Sequence, residues 1–179
     1  MRLPTLAILF AFAACSTEPS PQPATAPTTA DAAAAKAEAA QPVPSDADCN
    51  LNTPLVPGIP GSPGHLIVSS RNPNGDSELS VLMRVFVDDL NEVRAAVLAH
   101  QPPKKLFPTH RKMRCAWPTK PSERNADFDA RAQAYLANVA AFDHDPGQAT
   151  YNAIINGCIA CHSQSCGGPL DFIDGMKWQ

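Results

Sequence analysis

The stretch DPGQATYNAIINGCIACHSQSCGGP, residues 145–169, decides the fold, because it reads as one amphipathic helix with marked ends. Asp145 is a predicted N-cap, Pro146 fits the first helical position, and Gln148 completes a capping box. The side chains that share one helical face are Tyr151, Ile154, Ile155, Cys158, Cys161 and His162. The glycine pair at 167–168, followed by proline, predicts a left-handed stop.

The prolines divide the rest of the chain into a front that resists helix and a back that permits it. Of the 19 prolines, 12 precede residue 76, and none falls in 76–101, 122–145 or 147–168. Proline inside a helix removes a hydrogen bond and clashes with the preceding turn. The helical part of the chain is therefore expected after residue 75.

Three more helical segments are predicted in this back part. Residues 76–100, capped by Asp76 or Ser77, carry a stripe with steps of 4, 3, 4, 3 and 4: Leu79, Met83, Phe86, Leu90, Val93 and Val97. Prolines limit the second segment to one short or irregular helix at about 109–116. Residues 125–143 repeat the stripe at Phe128, Ala132, Tyr135, Val139 and Phe142. Four segments with short connections predict an all-α fold, an antiparallel four-helix bundle.

Composition excludes several classes of protein. The net charge is −3 with 17% charged residues, which excludes a strongly basic nucleic-acid binder. Beyond the N-terminus no run of 18 apolar residues occurs, so no ordinary transmembrane helix is expected.

The N-terminus is predicted to be an export signal. Residues 1–14 combine one positive charge with a short apolar run, and Cys15 follows small residues as in the lipobox of bacterial lipoproteins. Lipidation of Cys15 would anchor the chain on the periplasmic side of a bacterial membrane, and Ser16 favours the outer membrane. Residues 15–48, rich in proline and alanine, are predicted to be a disordered tether.

Two further regions follow the tether. Residues 49–75 gain apolar side chains but are interrupted by proline and glycine, so we predict an extended segment on the domain surface. Residues 76–179 then form the predicted helical domain.

The chemical motif of the chain is Cys158-Ile159-Ala160-Cys161-His162, which is C-x-x-C-H, the attachment sequence for c-type haem. Thiols three residues apart lie on one helical face and can both bond one macrocycle. The adjacent His162 is the expected axial ligand of the iron. Covalent haem attachment outside the cytoplasm agrees with the predicted export signal.

Two other functions of these cysteines are weighed against haem. A thioredoxin-like redox pair needs a βαβ pattern, which the sequence lacks. Zinc bound by Cys158, Cys161, His162 and Cys166 would place adjacent helical residues on one metal. A structural lipoprotein with a zinc or disulfide site is therefore the weaker alternative.

A C-terminal C-x-x-C-H on the last of four helices resembles the class II cytochromes c, the cytochrome c prime group, over about residues 76–168. The resemblance implies one haem within the bundle and His162 as fifth ligand. High-spin members of the group leave the sixth position open to a gas such as nitric oxide, and low-spin members fill it with a methionine from the first helix. In an up-down bundle Met83 and His162 lie at the same end, so Met83 is the candidate sixth ligand.

Other assignments remain open. His110 is the alternative sixth ligand, and Met83 could equally be a core side chain. With a sixth ligand we expect a one-electron carrier, not an enzyme, that docks with a redox partner protein; without one we expect a gas-binding cytochrome. Of Cys49, Cys115 and Cys166, two are expected to form a disulfide, and the sequence does not choose the pair.

The charged side chains suggest two surface functions. A cluster of basic residues has two interpretations. It could be a docking patch that contacts an acidic redox partner or the haem propionates, or it could be a solvated loop. Its members are Lys104, Lys105, Arg111, Lys112 and Arg114. Arg71 and Arg84 are further candidates for propionate contact.

Overall fold

A computed structural model describes residues 49–179 of the chain. The predicted signal peptide at 1–14, the lipidation site at Cys15 and the tether at 15–48 lie outside these residues. The described part is helical, which confirms the all-α class, and its β-type pairing is one isolated bridge between Ile67 and Asp76. Across this part, none of the helices has the length and apolar character that a membrane span requires.

Three long helices and two short ones make up this fold. They are α1 (Glu78–Leu98), α2 (Phe107–His110), α3 (Ala126–His144), α4 (Gln148–Ser165) and α5 (Leu170–Asp174). Two 3₁₀ turns, Arg111–Cys115 and Pro121–Glu123, connect α2 to α3. The short second segment appears where it was predicted, and α2 accepts Pro108 because proline is tolerated in a first helical turn. Helix α5 was not predicted.

The start of α1 is capped as the sequence predicts. The Ser77 hydroxyl accepts a hydrogen bond from the Ser80 N–H at 3.2 Å. The start of α4 differs from the prediction: Gly147, not Asp145, is the cap residue, and its N–H donates to the Thr150 hydroxyl at 3.1 Å. Because Thr150 supplies this acceptor, the helix begins after Pro146 rather than at it.

The end of α4 also differs from the prediction. The helix ends at Ser165, and Cys166 leaves the helical conformation with φ of −150° and ψ of 82°. Among the described residues, the glycines with positive φ lie at 58, 61, 64 and 75, so the left-handed stop at 167–168 is wrong. The non-helical Cys166 turns the chain out of the helix without a left-handed residue.

Helices α3 and α4 are the most closely packed pair, joined by a short turn. A Cβ placed on Gly157 would lie 3.3 Å from the Tyr135 ring, so glycine permits this close approach. The α1 backbone lies further from both helices, and its side chains complete the core. The fully buried core side chains (0% exposed) are Val93, Leu106, Ala132, Val139, Phe142, Tyr151, Ile154 and Ile155.

A disulfide and several polar contacts fasten residues 49–75 to the helices. The structure pairs Cys49 with Cys115 and leaves Cys166 as a free, exposed thiol. The Arg124 guanidinium donates to the carbonyls of Asn50 and Thr53 at 2.7 and 2.8 Å. The start of the described chain is therefore attached to the α2–α3 connection.

Candidate functional site

Helix α4 carries the C-x-x-C-H motif in its last two turns. Cys161 and His162 are half-buried and face the space between α4 and the start of α1. Cys158, one turn earlier, packs against the core. The sequence forms a helix here because the apolar stripe of α4 continues directly into the motif.

A cavity of about 340 Å³ lies beside this motif. Its walls come from three separate stretches of chain, namely the start of α1, the α2–α3 connection with the start of α3, and the end of α4. Met83 and His162 both line it. The volume lies within the range of about 300–1,000 Å³ that cofactor and ligand sites usually have.

The cavity has an apolar wall and a polar rim. Leu79, Met83 and Phe128 supply apolar surface. Hydroxyl groups gather on the rim, where the Ser77 oxygen lies 2.9 Å from that of Ser80 and 3.3 Å from that of Thr119. Lys120 and Glu123 add one positive and one negative charge beside them. Such a cavity can take a largely apolar group with a few polar substituents.

The imidazole of His162 is oriented by the end of its own helix. Its Nδ1 lies 3.1 Å from the carbonyl oxygen of Cys166 and donates a hydrogen bond to it. The other nitrogen, Nε2, then keeps its lone pair. A histidine that binds a metal commonly donates its second N–H to a backbone carbonyl in this way. His162 therefore has the tautomer that an axial ligand needs.

The two thiols of the motif lie in different surroundings. Cys161 lines the cavity, whereas Cys158 is not among the cavity residues and lies within hydrogen-bonding reach of the Tyr135 hydroxyl. Burial raises the pKa of Cys158 to about 12, so this thiol stays protonated at neutral pH. Cys161 and His162 beside this cavity, with Cys158 one turn earlier on the same helix, are the residue types that covalently attached haem needs.

His110 lies away from this cavity. It is fully buried, its ring stacks on Phe86 with centroids 3.9 Å apart, and its Nδ1 lies 2.6 Å from the Tyr135 hydroxyl. Burial lowers the pKa of His110 to about 4. The structure thus brings Met83, and not His110, to the same cavity as His162.

The zinc alternative has no support in the geometry. Within residues 49–179, no three side chains of His, Cys, Asp or Glu converge as metal ligands do. Cys166 lines the cavity beside His162, whereas Cys158 packs against the core and does not line the cavity. The four residues of the proposed zinc set therefore do not face a common centre.

Much of the predicted basic cluster is engaged within the fold. The Lys104 ammonium donates to the Asp89 and Glu92 carboxylates at 2.6 and 2.5 Å. Lys105 donates to the carbonyl oxygen of Asp143. Arg114 is buried and donates to Asp129 through both Nε and Nη2, at 2.7 and 3.0 Å. These contacts favour the structural interpretation of the cluster over a docking patch.

The residues predicted to contact propionates lie elsewhere. Arg84 pairs with the buried carboxylate of Asp76. Arg71 and Arg84 both line a second cavity of about 530 Å³, against the first half of α1. Lys120, which lines the cavity next to the motif, was not singled out in the sequence because a lone lysine between prolines gives no signal.

No protein-family model, no curated protein and no solved structure matches this chain.

Proposed function

We propose that this protein is a c-type cytochrome that holds one haem through Cys158 and Cys161 and carries single electrons. The observation that supports the proposal best is that Met83 and His162 line one cavity at the end of the helix that bears C-x-x-C-H. Bound haem supplies an iron that accepts and releases one electron. The Met83 sulfur and the His162 imidazole, which line the same cavity, would hold this iron.

Each residue has a distinct role in this proposal. Cys158 and Cys161 fix the macrocycle to α4, so that it cannot dissociate between electron transfers. His162, oriented by the Cys166 carbonyl, would bind the iron through its imidazole. Met83 from α1 would supply a thioether ligand, which raises the reduction potential. The protein forms no new bonds in a substrate, so it acts as a carrier and not as an enzyme.

The helical architecture supports the same proposal. Helices α1, α3 and α4, with α2 and its 3₁₀ turn as a short second arm, form an antiparallel four-helix bundle in this interpretation. The greater distance of the α1 backbone from α4 leaves the space that a cofactor between them needs. The bundle thus resembles a class II cytochrome c with a shortened second helix.

The proposed location follows from the N-terminal sequence. Cys15 is lipidated, and residues 15–48 tether the haem domain to the periplasmic side of a bacterial membrane, where a redox partner protein docks. Replacement of Cys15 with serine (C15S) should move the protein from the membrane fraction to the soluble fraction. Retention of C15S on the membrane would contradict the anchor.

Absorption spectroscopy of the purified chain tests the haem and its ligands. We expect a Soret band and sharp α and β bands after reduction, because two strong axial ligands produce a low-spin iron. A protein without a Soret band would refute the proposal, whereas a high-spin spectrum that responds to carbon monoxide would support the gas-binding alternative.

Two methionine variants then identify the sixth ligand. Met83→Leu preserves side-chain volume but removes the sulfur, so the low-spin spectrum should be lost. Met113→Leu is the matched control, because Met113 is buried at 3% exposure and does not line the cavity. Low-spin spectra from both variants would exclude Met83 as the ligand.

A further inference from the structure

A chain of polar side chains crosses the core and ends at Cys158. His110 is 0% exposed and Tyr135 is 3% exposed, yet both carry hydrogen-bonding groups. The Tyr135 hydroxyl lies 2.6 Å from His110 Nδ1, and the Asp89 carboxylate lies 3.4 Å from His110 Nε2. We call Asp89, His110, Tyr135 and Cys158 the buried polar chain.

Between Asp89, His110 and Tyr135, the protons have one arrangement in which each donor meets an acceptor. The Asp89 carboxylate lies nearest Nε2 of His110, so the imidazole proton belongs on Nε2. Nδ1 is then an acceptor, and the Tyr135 hydroxyl donates to it across 2.6 Å. A hydroxyl has a single proton, so the lone pairs of the Tyr135 oxygen remain for Cys158.

The ring stacking fixes this arrangement. His110 lies face to face with Phe86, and the planes of His110 and Tyr135 differ by only 4°. At the end of the buried polar chain nearest the solvent, Lys104 donates a hydrogen bond to the Asp89 carboxylate at 2.6 Å and holds this carboxylate in place. The stacked rings and the Lys104 contact hold the imidazole, the phenol ring and the carboxylate in this order.

We propose that Tyr135, supported by His110 and Asp89, is a positioning residue that directs negative charge toward Cys158 and lowers the reduction potential of the haem attached there. The inference rests on the proposed function. Donation of its proton to His110 leaves extra negative charge on the Tyr135 oxygen, and the carboxylate behind the imidazole strengthens that polarisation.

The effect on the potential follows from charge balance. Reduction transfers one electron from the redox partner to the ferric iron, and the charge of the site falls by one. No bond forms or breaks in the buried polar chain, and its protons stay in place. Negative charge beside the thioether stabilises the more positive oxidised state, so the chain disfavours reduction.

Tyrosine-to-phenylalanine substitutions give the first test. Tyr135→Phe should raise the reduction potential, with an equilibrium constant for reduction that changes by about three- to tenfold, as for the loss of one buried hydrogen-bonding group. Tenfold corresponds to 59 mV for a one-electron couple. Tyr151→Phe is the matched control, because Tyr151 is equally buried on α4 but lies outside the chain. Equal potentials in Y135F and wild type would overturn the inference.

A second pair of variants keeps the test decisive if Y135F folds poorly. Asp89→Asn removes the carboxylate behind His110 and should also raise the potential. Glu92→Gln removes the same charge from the other partner of Lys104 but leaves His110 untouched. The shift in E92Q should be smaller, because Glu92 is 63% exposed and screened by solvent. Equal shifts of the reduction potential in D89N and E92Q would refute the proposal that Asp89 acts through the His110 imidazole.

Failure of this inference differs from failure of the proposed function. If no haem is attached, the purified chain shows no Soret band and no potential exists to be measured. If haem is attached but the potential ignores Tyr135 and Asp89, only the role of the buried polar chain is refuted.

Discussion

Removal of the Cys49–Cys115 disulfide should lower the stability of the folded domain by several kcal/mol. The bond closes a loop with a sequence separation of 66, and chain entropy for a loop of this size gives about 4 kcal/mol of stability. The constraint acts on the unfolded chain, because an open chain of this length has many more conformations than a closed one.

Urea unfolding of the double variant Cys49→Ser with Cys115→Ser measures this contribution. At a slope of about 2 kcal/mol per molar urea, the transition midpoint should fall by about 2 M. Addition of a thiol reductant should lower the wild-type midpoint by the same amount and leave the variant unchanged. Cys166→Ser is the control, since Cys166 is a free, exposed thiol, and its midpoint should match wild type.

The disulfide also bears on the cavity beside the C-x-x-C-H motif. Cys115 ends the 3₁₀ turn just before Pro118, Thr119 and Lys120, which form one cavity wall. If haem is bound as proposed, the double variant should therefore show a weaker low-spin spectrum even at urea concentrations below its unfolding transition. A midpoint within about 0.3 M of the C166S control, with an unchanged spectrum, would refute both the entropy argument and the coupling to the cavity.

Three further predictions concern the core. Gly157→Val should lower the free energy of unfolding by about 1–3 kcal/mol, because even a Cβ at 157 would lie 3.3 Å from a side chain of α3. Gly147→Ala is the control, because a Cβ at 147 would enter open space, and a thermal melt of this variant should match that of the wild type. Asp129→Ala should destabilise the fold by about 1.5–3 kcal/mol, because it removes the carboxylate to which the buried Arg114 donates two hydrogen bonds. Hydrogen bonds from Arg114 lower the pKa of Asp129 in the folded protein. The stabilisation is therefore present above the unfolded-state pKa of about 3.8 and is lost as the pH falls below it. The stabilities of the wild type and the variant, followed by circular dichroism during acid titration, should converge in that range. Burial lowers the pKa of His110 from 6.5 to about 4. Between these two pH values the unfolded chain binds a proton at His110 and the folded chain does not, so protonation favours unfolding. The free energy of unfolding should therefore fall by about 3 kcal/mol as the pH is lowered from 6.5 to 4. His110→Asn should flatten that part of the urea stability curve, and an unchanged slope would contradict the burial argument.

The sequence predicts the long helices well because their apolar stripes are nearly uninterrupted. The period of α1 and α3 is visible in large side chains, and the Ser77 cap follows a turn signal. Local competition limits the accuracy at α4. Asp145 and Gly147 are both acceptable caps, and the Thr150 hydroxyl decides between them only through the folded geometry. The short α5 is not predicted from the sequence, because five residues are too few to show a helical period of apolar side chains.

The site is predictable only where its chemistry is local in sequence. Cys158, Cys161 and His162 form a contiguous motif, and Met83 follows from the expected end-to-end geometry of a bundle. Tyr135 is different, since its stripe position reads as core and nothing in the sequence pairs it with a histidine on another segment. The choice of Cys49 with Cys115 is likewise long-range, and three cysteines at one end give no local signal for it.

The three-part construction of the cavity has a consequence for how folding could be observed. Its walls come from α1, from the connection before α3 and from α4, so no fragment or partly folded chain can assemble it. On the proposed assignment, Met83 meets the iron only after the first and last long helices have found each other, a contact of high sequence separation that forms late. The absorption spectrum of the protein would then report the formation of tertiary structure. Stopped-flow absorbance would measure the rate at which the whole domain folds, without any added label.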